Sequence, residues 1–155
     1  MISIDSDMKM LCGVGYRRPL HDWIMESSGD LQCLELTAEH FFEGRLDQEL
    51  SEIRGRFPVF LHGLGLSLGS SGSLNPRILR QFKEVVDRCD PLWVSEHIAF
   101  TSTSEVDLGH LNPVPHEMAF VRRIADKAKE LSDQCGKPVL LENITSSIRF
   151  SGELS

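Results

Sequence analysis

The chain has 155 residues, of which 41% are hydrophobic and 25% charged, the composition of one ordinary globular domain with a core of its own. Its formal net charge of −7 argues against binding to nucleic acid or to an anionic membrane surface. No segment approaches the roughly 20 apolar residues of a membrane span, and residues 1–10 lack the apolar stretch of a secretory signal. These features predict a cytoplasmic protein with a flexible leader at 1–10 and a folded part at 11–155.

Short apolar runs alternate with amphipathic segments in the first part of the chain. Residues 11–16, 31–36 and 59–62 are short apolar or β-branched runs and predict strands. Between them, residues 20–27 and 46–56 predict helices. No internal repeat or low-complexity tract interrupts this alternation.

A glycine-rich segment, residues 63–73, follows the third predicted strand. Asn75 and Pro76 then indicate the start of a helix, because asparagine caps helices and proline fits their first position. Apolar residues at helical spacing continue this helix to Cys89, and residues 92–96 predict the fourth strand.

Residues 101–115 are polar and predict a loop. A helix is predicted over 118–131, with Gly136 ending it and Pro138 opening a fifth strand. This α/β alternation predicts a parallel sheet with right-handed crossovers. About five parallel strands with four or so helices make more than half of an eight-stranded barrel.

Three predicted strands end in side chains that bind metals. His62, His97 and Glu142 follow the apolar runs PVFL, LWVSE and PVLL. In parallel α/β folds, ligands gather at the carboxyl ends of the strands. A single histidine there is more often structural, but a carboxylate is costly to bury unless a cation or hydrogen-bond donors meet it. Two imidazoles and a carboxylate match the ligands of non-haem iron or zinc.

Four further polar side chains near these ends are expected to support the site or to contact substrate. They are Glu35, Glu39, Glu96 and Asn143. Successive side chains of a strand point to opposite faces, so Glu96 and Asn143 should point away from the face that carries the adjacent ligands His97 and Glu142. Glu35 is equally compatible with a buried salt bridge to Arg17 or Arg18, and both interpretations stay open.

The glycine-rich segment is not a nucleotide-binding motif. Its glycines are spaced G-x-G-x-x-x-G, and no Gly-Lys-Ser/Thr follows, which excludes the dinucleotide and P-loop patterns. A tight turn that lets the backbone approach the site is the better explanation.

The four cysteines stand singly, without a C-x-x-C pair. Because the chain lacks an export signal, we expect reduced thiols. Each should act as a small buried hydrophobic residue rather than as a redox centre.

Five motifs together strongly resemble the DUF692 (UPF0276) family, and the resemblance runs over residues 11–150. The motifs are GVGYR at 13–17, LELTAEHFF at 34–42, LHGLGLSLGS at 61–70, VSEHI at 94–98 and LLEN at 140–143. The family comprises multinuclear non-haem iron-dependent oxidative enzymes with a xylose-isomerase-like (β/α)8 TIM barrel. The resemblance implies that this chain is the N-terminal part of such a barrel.

The resemblance implies two or three iron ions at the barrel mouth. It also implies the use of O₂ to modify a cysteine or another residue of a ribosomal precursor peptide, which a partner protein presents. His62 and His97 match the histidine ligands of iron, and Glu142 matches a carboxylate that bridges two irons.

The remaining ligands of the family come from later strands, so the resemblance implies an incomplete site unless another chain supplies them. His40 stands where the family tends to carry Asn, and residues 109–115 form a shorter segment than usual. His40 and His110 are minor alternative ligands.

Two alternatives to the oxidase remain open. One is a Zn²⁺- or Mn²⁺-dependent isomerase or hydrolase of the xylose-isomerase-like superfamily, and the other is a truncated fragment without activity. Five strands of a barrel leave two exposed edges. We therefore expect the chain to self-associate, to pair with a complementing C-terminal half, or to be unstable.

Overall fold

Five strands form one parallel sheet whose spatial order follows the chain. The computed structural model describes residues 10–26, 29–102 and 106–146, so residues 1–9 of the expected leader lie outside the described part. The sheet has the order β1-β2-β3-β4-β7. The strands are β1 (Gly13–Gly15), β2 (Cys33–Thr37), β3 (Val59–His62), β4 (Val94–His97), β5 (Phe100–Ser102), β6 (Asp107–Asn112) and β7 (Val139–Glu142).

Helices connect the strands of the sheet, as the sequence predicts. They are α1 (His21–Glu26), α2 (Asp47–Arg54), α3 (Pro76–Cys89) and α4 (Met118–Cys135), with 3-10 turns at Arg18–Leu20 and Ala38–Gly44. The side chain of Asn75 accepts hydrogen bonds from the amides of Arg77 and Ile78, which confirms the predicted start of α3. Gly136, at φ +62°, ends α4 in the left-handed conformation that glycine favours.

The hydrophobic core lies between the helices and one face of the sheet. Leu34, Leu61 and Val94 are fully buried on that face, and Phe82 and Val85 of α3 belong to the same buried cluster. Alternate residues of the strands point to the opposite face, which in a closed barrel is the interior.

The barrel-interior face is largely open. There the rings of Phe60 and Trp93 stack with centroids 3.8 Å apart. Leu140 of the edge strand β7 is 47% exposed on the same face. Among the described residues, the edge strands β1 and β7 each pair on one side alone. The architecture is therefore a partial barrel with two open edges.

The expected loop at 101–115 is wrong in part, because an antiparallel hairpin forms there. In this hairpin β5 pairs with β6, with Phe100 opposite Asn112 and Ser102 opposite Asp107. Nearly all of β6 is exposed. A strand without a buried face shows no apolar-polar alternation, so the sequence pattern did not indicate it.

The cysteines follow the expectation with one exception. Cys33, Cys89 and Cys135 are buried free thiols, and burial raises the pKa of Cys89 to about 12 and that of Cys135 to about 11. Cys12 is exposed, because it precedes the short edge strand β1, and its predicted burial is wrong. In the described part of the chain, no helix is both long enough and apolar enough to cross a membrane.

Candidate metal centre

The last residues of three adjacent strands meet at one edge of the sheet. His62 ends β3, His97 ends β4 and Glu142 ends β7, and His97 stands in register with Glu142. One ligand atom from each lies within 4.8 Å of the others. The two imidazole rings are 4.5 Å apart and nearly perpendicular. Parallel pairing thus brings the three predicted ligands together.

The neighbouring strand fixes the orientation of His62. Nδ1 of His62 lies 2.8 Å from the hydroxyl of Ser95, which is its register partner on β4. The imidazole is 7% exposed. Because Ser95 engages Nδ1, Nε2 is the nitrogen left to coordinate a cation. The sequence did not indicate this role of Ser95, since a serine inside a short strand carries no signal of its own.

The two ring nitrogens of His97 face different carboxylates. Nε2 lies 4.0 Å from Oε1 of the exposed Glu142, and Nδ1 lies 3.5 Å from Oε1 of Glu96. The second contact is within the range of an ion pair but lacks hydrogen-bond geometry, so Nδ1 has no hydrogen-bond partner among the described residues. Glu96 is the main cause that raises the pKa of His97, with Glu142 and Glu35 adding to it.

Glu96 is a buried carboxylate, 1% exposed, on the core-facing side of β4. Its Oε1 accepts a hydrogen bond from the His97 amide at 2.8 Å, and its Oε2 accepts one from the Leu66 amide at 3.0 Å. Burial raises the pKa of Glu96. A Cβ at Gly63 would lie 2.9 Å from Oε2 of Glu96, so the residue after His62 has to be small.

Metal-free protein is expected to lose stability as the pH rises above the unfolded-state pKa values of Glu96 (4.5) and His97 (6.5). The pKa values of Glu96 and His97 are both raised in the fold, so the native state holds more protons than the unfolded state as the pH passes these values. Urea denaturation in a chelating buffer measures the slope. It should shrink in His97→Ala and persist in a His116→Ala control, which changes an exposed histidine. Equal slopes in both variants would contradict the assignment.

Charged side chains from two other elements hold the glycine-rich loop, residues 63–73. Oε1 of Glu39 accepts hydrogen bonds from the amides of Leu64 and Gly65, both at 2.8 Å. The ammonium of Lys127 on α4, 4% exposed, donates to the carbonyl of Ser70 at 2.7 Å. The sequence did not indicate the burial of Lys127, because a lysine on a helix normally faces solvent. The loop beside His62 is therefore held by a half-buried carboxylate and a buried ammonium.

The other predicted site residues lie outside the three-residue cluster. Glu35 is exposed on the open face of the sheet. The second interpretation of Glu35, a buried salt bridge to Arg17 or Arg18, is wrong. Arg18 pairs with Glu49 instead, and Arg17 donates to the carbonyl of Tyr16.

Asn143 and His110 also stand apart from the cluster. Asn143 lines an apolar cavity of about 490 Å³ between β7 and α4, together with Leu141 and Phe120. His110 lines a separate cavity beside the hairpin. Neither residue belongs to the three-residue cluster.

The donor set fits a cation that accepts nitrogen and oxygen ligands. Two buried imidazoles each have one ring nitrogen beside an oxygen of Ser95 or Glu96, and a carboxylate faces them from β7. Iron, zinc and manganese accept such mixed shells. Fold and site therefore define a partial parallel barrel with a candidate metal site at the carboxyl ends of its strands.

Comparison with known proteins assigns this chain to a family. The family model "RiPP precursor modification enzyme MbnB/TglH/ChrH" matches residues 11–154. The chain belongs to this family. RiPPs are ribosomally synthesised and post-translationally modified peptides.

Relatives of the same kind carry the description UPF0276 protein. A UPF0276 protein of Acaryochloris marina is 31% identical to this chain, and the match covers 89% of this chain and 50% of the relative. One of Chromobacterium violaceum is 31% identical, and the match covers 90% of this chain and 51% of the relative. The chain thus spans about half the length of the curated relatives it matches.

A solved structure supports the fold. The crystal structure of D-psicose 3-epimerase in the presence of D-fructose superposes with a TM-score of 0.55 and 16% identity. The match covers 84% of this chain and 51% of the epimerase. At this identity the likeness concerns the barrel fold alone.

Proposed function

We propose that this chain is the N-terminal part of an iron-dependent oxidase that modifies a ribosomal precursor peptide with O₂. The observation that carries the proposal is the meeting of His62, His97 and Glu142 at one sheet edge, with ligand atoms within 4.8 Å. Membership of the peptide-modifying family favours this activity over a zinc- or manganese-dependent isomerase or hydrolase of the same barrel type.

Each residue has a defined part in this proposal. His62 and His97 bind iron through Nε2, because their Nδ1 atoms face Ser95 and Glu96. Glu142 is exposed and has two oxygens, which can serve two cations. Bound iron supplies the redox chemistry that activates O₂.

The open face of the sheet is where we place the remaining parts of the enzyme. We propose that a complementing C-terminal half covers the β1 and β7 edges and adds the missing ligands, with self-association as the alternative. Glu35, exposed on this face, would contact the peptide, and a partner protein would present it. The reduced cysteines suit a cytoplasmic setting. Without a complementing half, the chain would be a non-catalytic fragment.

Iron loading tests the proposal. The chain is purified anaerobically with Fe(II), and bound iron is measured for wild type and for His62→Ala, His97→Ala and Glu142→Ala. Each substitution removes a ligand, so the loss of affinity should exceed the about 10–100-fold that outer-shell changes cause. His110→Ala, which alters a histidine outside the cluster, is the control and should keep wild-type iron.

If none of the three substitutions lowers the iron content, the site is wrong. If Zn²⁺ or Mn²⁺ binds and Fe(II) does not, the isomerase or hydrolase alternative is favoured. The reaction itself is tested by an O₂-dependent mass change in a cysteine-containing precursor peptide, measured with and without a complementing C-terminal half.

A further inference from the structure

One carboxylate connects the glycine-rich loop to the candidate metal centre. Oε2 of Glu96 accepts the hydrogen bond of the Leu66 amide, four residues after His62. Oε1 of the same side chain accepts the His97 amide and lies 3.5 Å from Nδ1 of the His97 ring. Glu96 is therefore in contact with both the loop and a predicted ligand.

Nδ1 of His97 is shielded from solvent and has no hydrogen-bond partner in the described part of the chain. A buried polar atom of this kind calls for a partner. Histidines that bind a metal through one nitrogen almost always donate the other N–H to a carboxylate, a carbonyl or water. Oε1 of Glu96 is a carboxylate oxygen 3.5 Å from Nδ1 and so is placed to become that partner.

We propose that Glu96 is a positioning residue: it accepts the Nδ1–H of His97, directs Nε2 toward the metal, and ties the ring to the glycine-rich loop. This inference rests on the proposed function, because it assumes that His97 is a ligand. Ser95, the preceding residue, has the corresponding contact with Nδ1 of His62. Consecutive residues of β4 thus orient both imidazoles.

Two glutamates outside the glycine-rich loop accept hydrogen bonds from its amides and give a matched test. Glu39→Gln keeps both of its hydrogen bonds, because a single oxygen accepts the Leu64 and Gly65 amides. Glu96→Gln does not, because both of its oxygens accept and an amide nitrogen cannot. With Zn²⁺ as the probe in calorimetry, Glu96→Gln should bind about 10–100-fold more weakly than wild type. Glu39→Gln should change the affinity much less.

A second measurement uses the wild-type chain and so does not depend on the folding of a variant. Nitrogen-15 NMR of the Zn²⁺-bound protein should show His97 protonated at Nδ1 and coordinated at Nε2. Coordination through Nδ1 would overturn the proposal, and so would equal losses of affinity in the two glutamine variants. If His97→Ala itself leaves zinc affinity unchanged, the proposed metal site fails, which is a separate result.

Discussion

Replacing Phe82 with alanine is expected to lower the free energy of unfolding by about 3–5 kcal/mol, the usual cost of deleting a buried aromatic ring. The ring is fully buried on α3 and belongs to the core between helices and sheet. A Cβ at Gly63 would lie 3.0 Å from it, so the ring also packs directly beneath the residue that follows His62. The cavity would therefore weaken the core and loosen the base of the candidate site.

Urea denaturation followed by circular dichroism measures this effect. Val121→Ala on α4 is the control, because its side chain is 48% exposed and its loss should cost less than about 1 kcal/mol. A loss below about 1 kcal/mol for Phe82→Ala would show that the ring is not packed in a continuous core.

Gly13→Ala is expected to destabilise the protein by about 1–3 kcal/mol or more, as overpacking does. A Cβ at Gly13 would overlap the carbonyl oxygen and the sulfur of Cys33 on β2, so the two strands could not keep their present spacing. Because the overlap includes backbone, a change of rotamer alone cannot relieve it. The edge strand β1 would have to move away from the sheet.

Gly15→Ala provides a control within the same strand. There the nearest atoms to an added Cβ are 3.5 Å away or more, which is ordinary contact. The same chemical change should therefore have little effect, or stabilise slightly by restricting the unfolded chain. Equal stabilities of the two alanine variants, measured by urea denaturation, would contradict the close approach of β1 and β2.

The fold could be predicted from the sequence where burial leaves a pattern. The apolar runs before His62, His97 and Glu142 correctly indicated strands β3, β4 and β7, and Asn75 and Gly136 correctly indicated two helix ends. Membership of the family and the parallel barrel fold are confirmed. The hairpin formed by β5 and β6 was missed, because an exposed strand does not alternate.

The surroundings of the candidate site were harder to predict than its ligands. Parallel pairing brings residues at strand ends together whatever the rest of the chain does, so the meeting of His62, His97 and Glu142 follows from topology. The burial of Lys127 and the loop contact of Glu96 depend on how a loop and a helix pack. Such long-range contacts leave no local periodicity in the sequence.

Anomalous X-ray diffraction at the iron edge, from crystals of the chain loaded anaerobically with Fe(II), tests the central claim most directly. We predict an anomalous peak between the imidazoles of His62 and His97 and the carboxylate of Glu142, where the ligand atoms already lie within 4.8 Å. Iron bound elsewhere on the chain, with no peak at these three strand ends, would contradict the proposed metal centre.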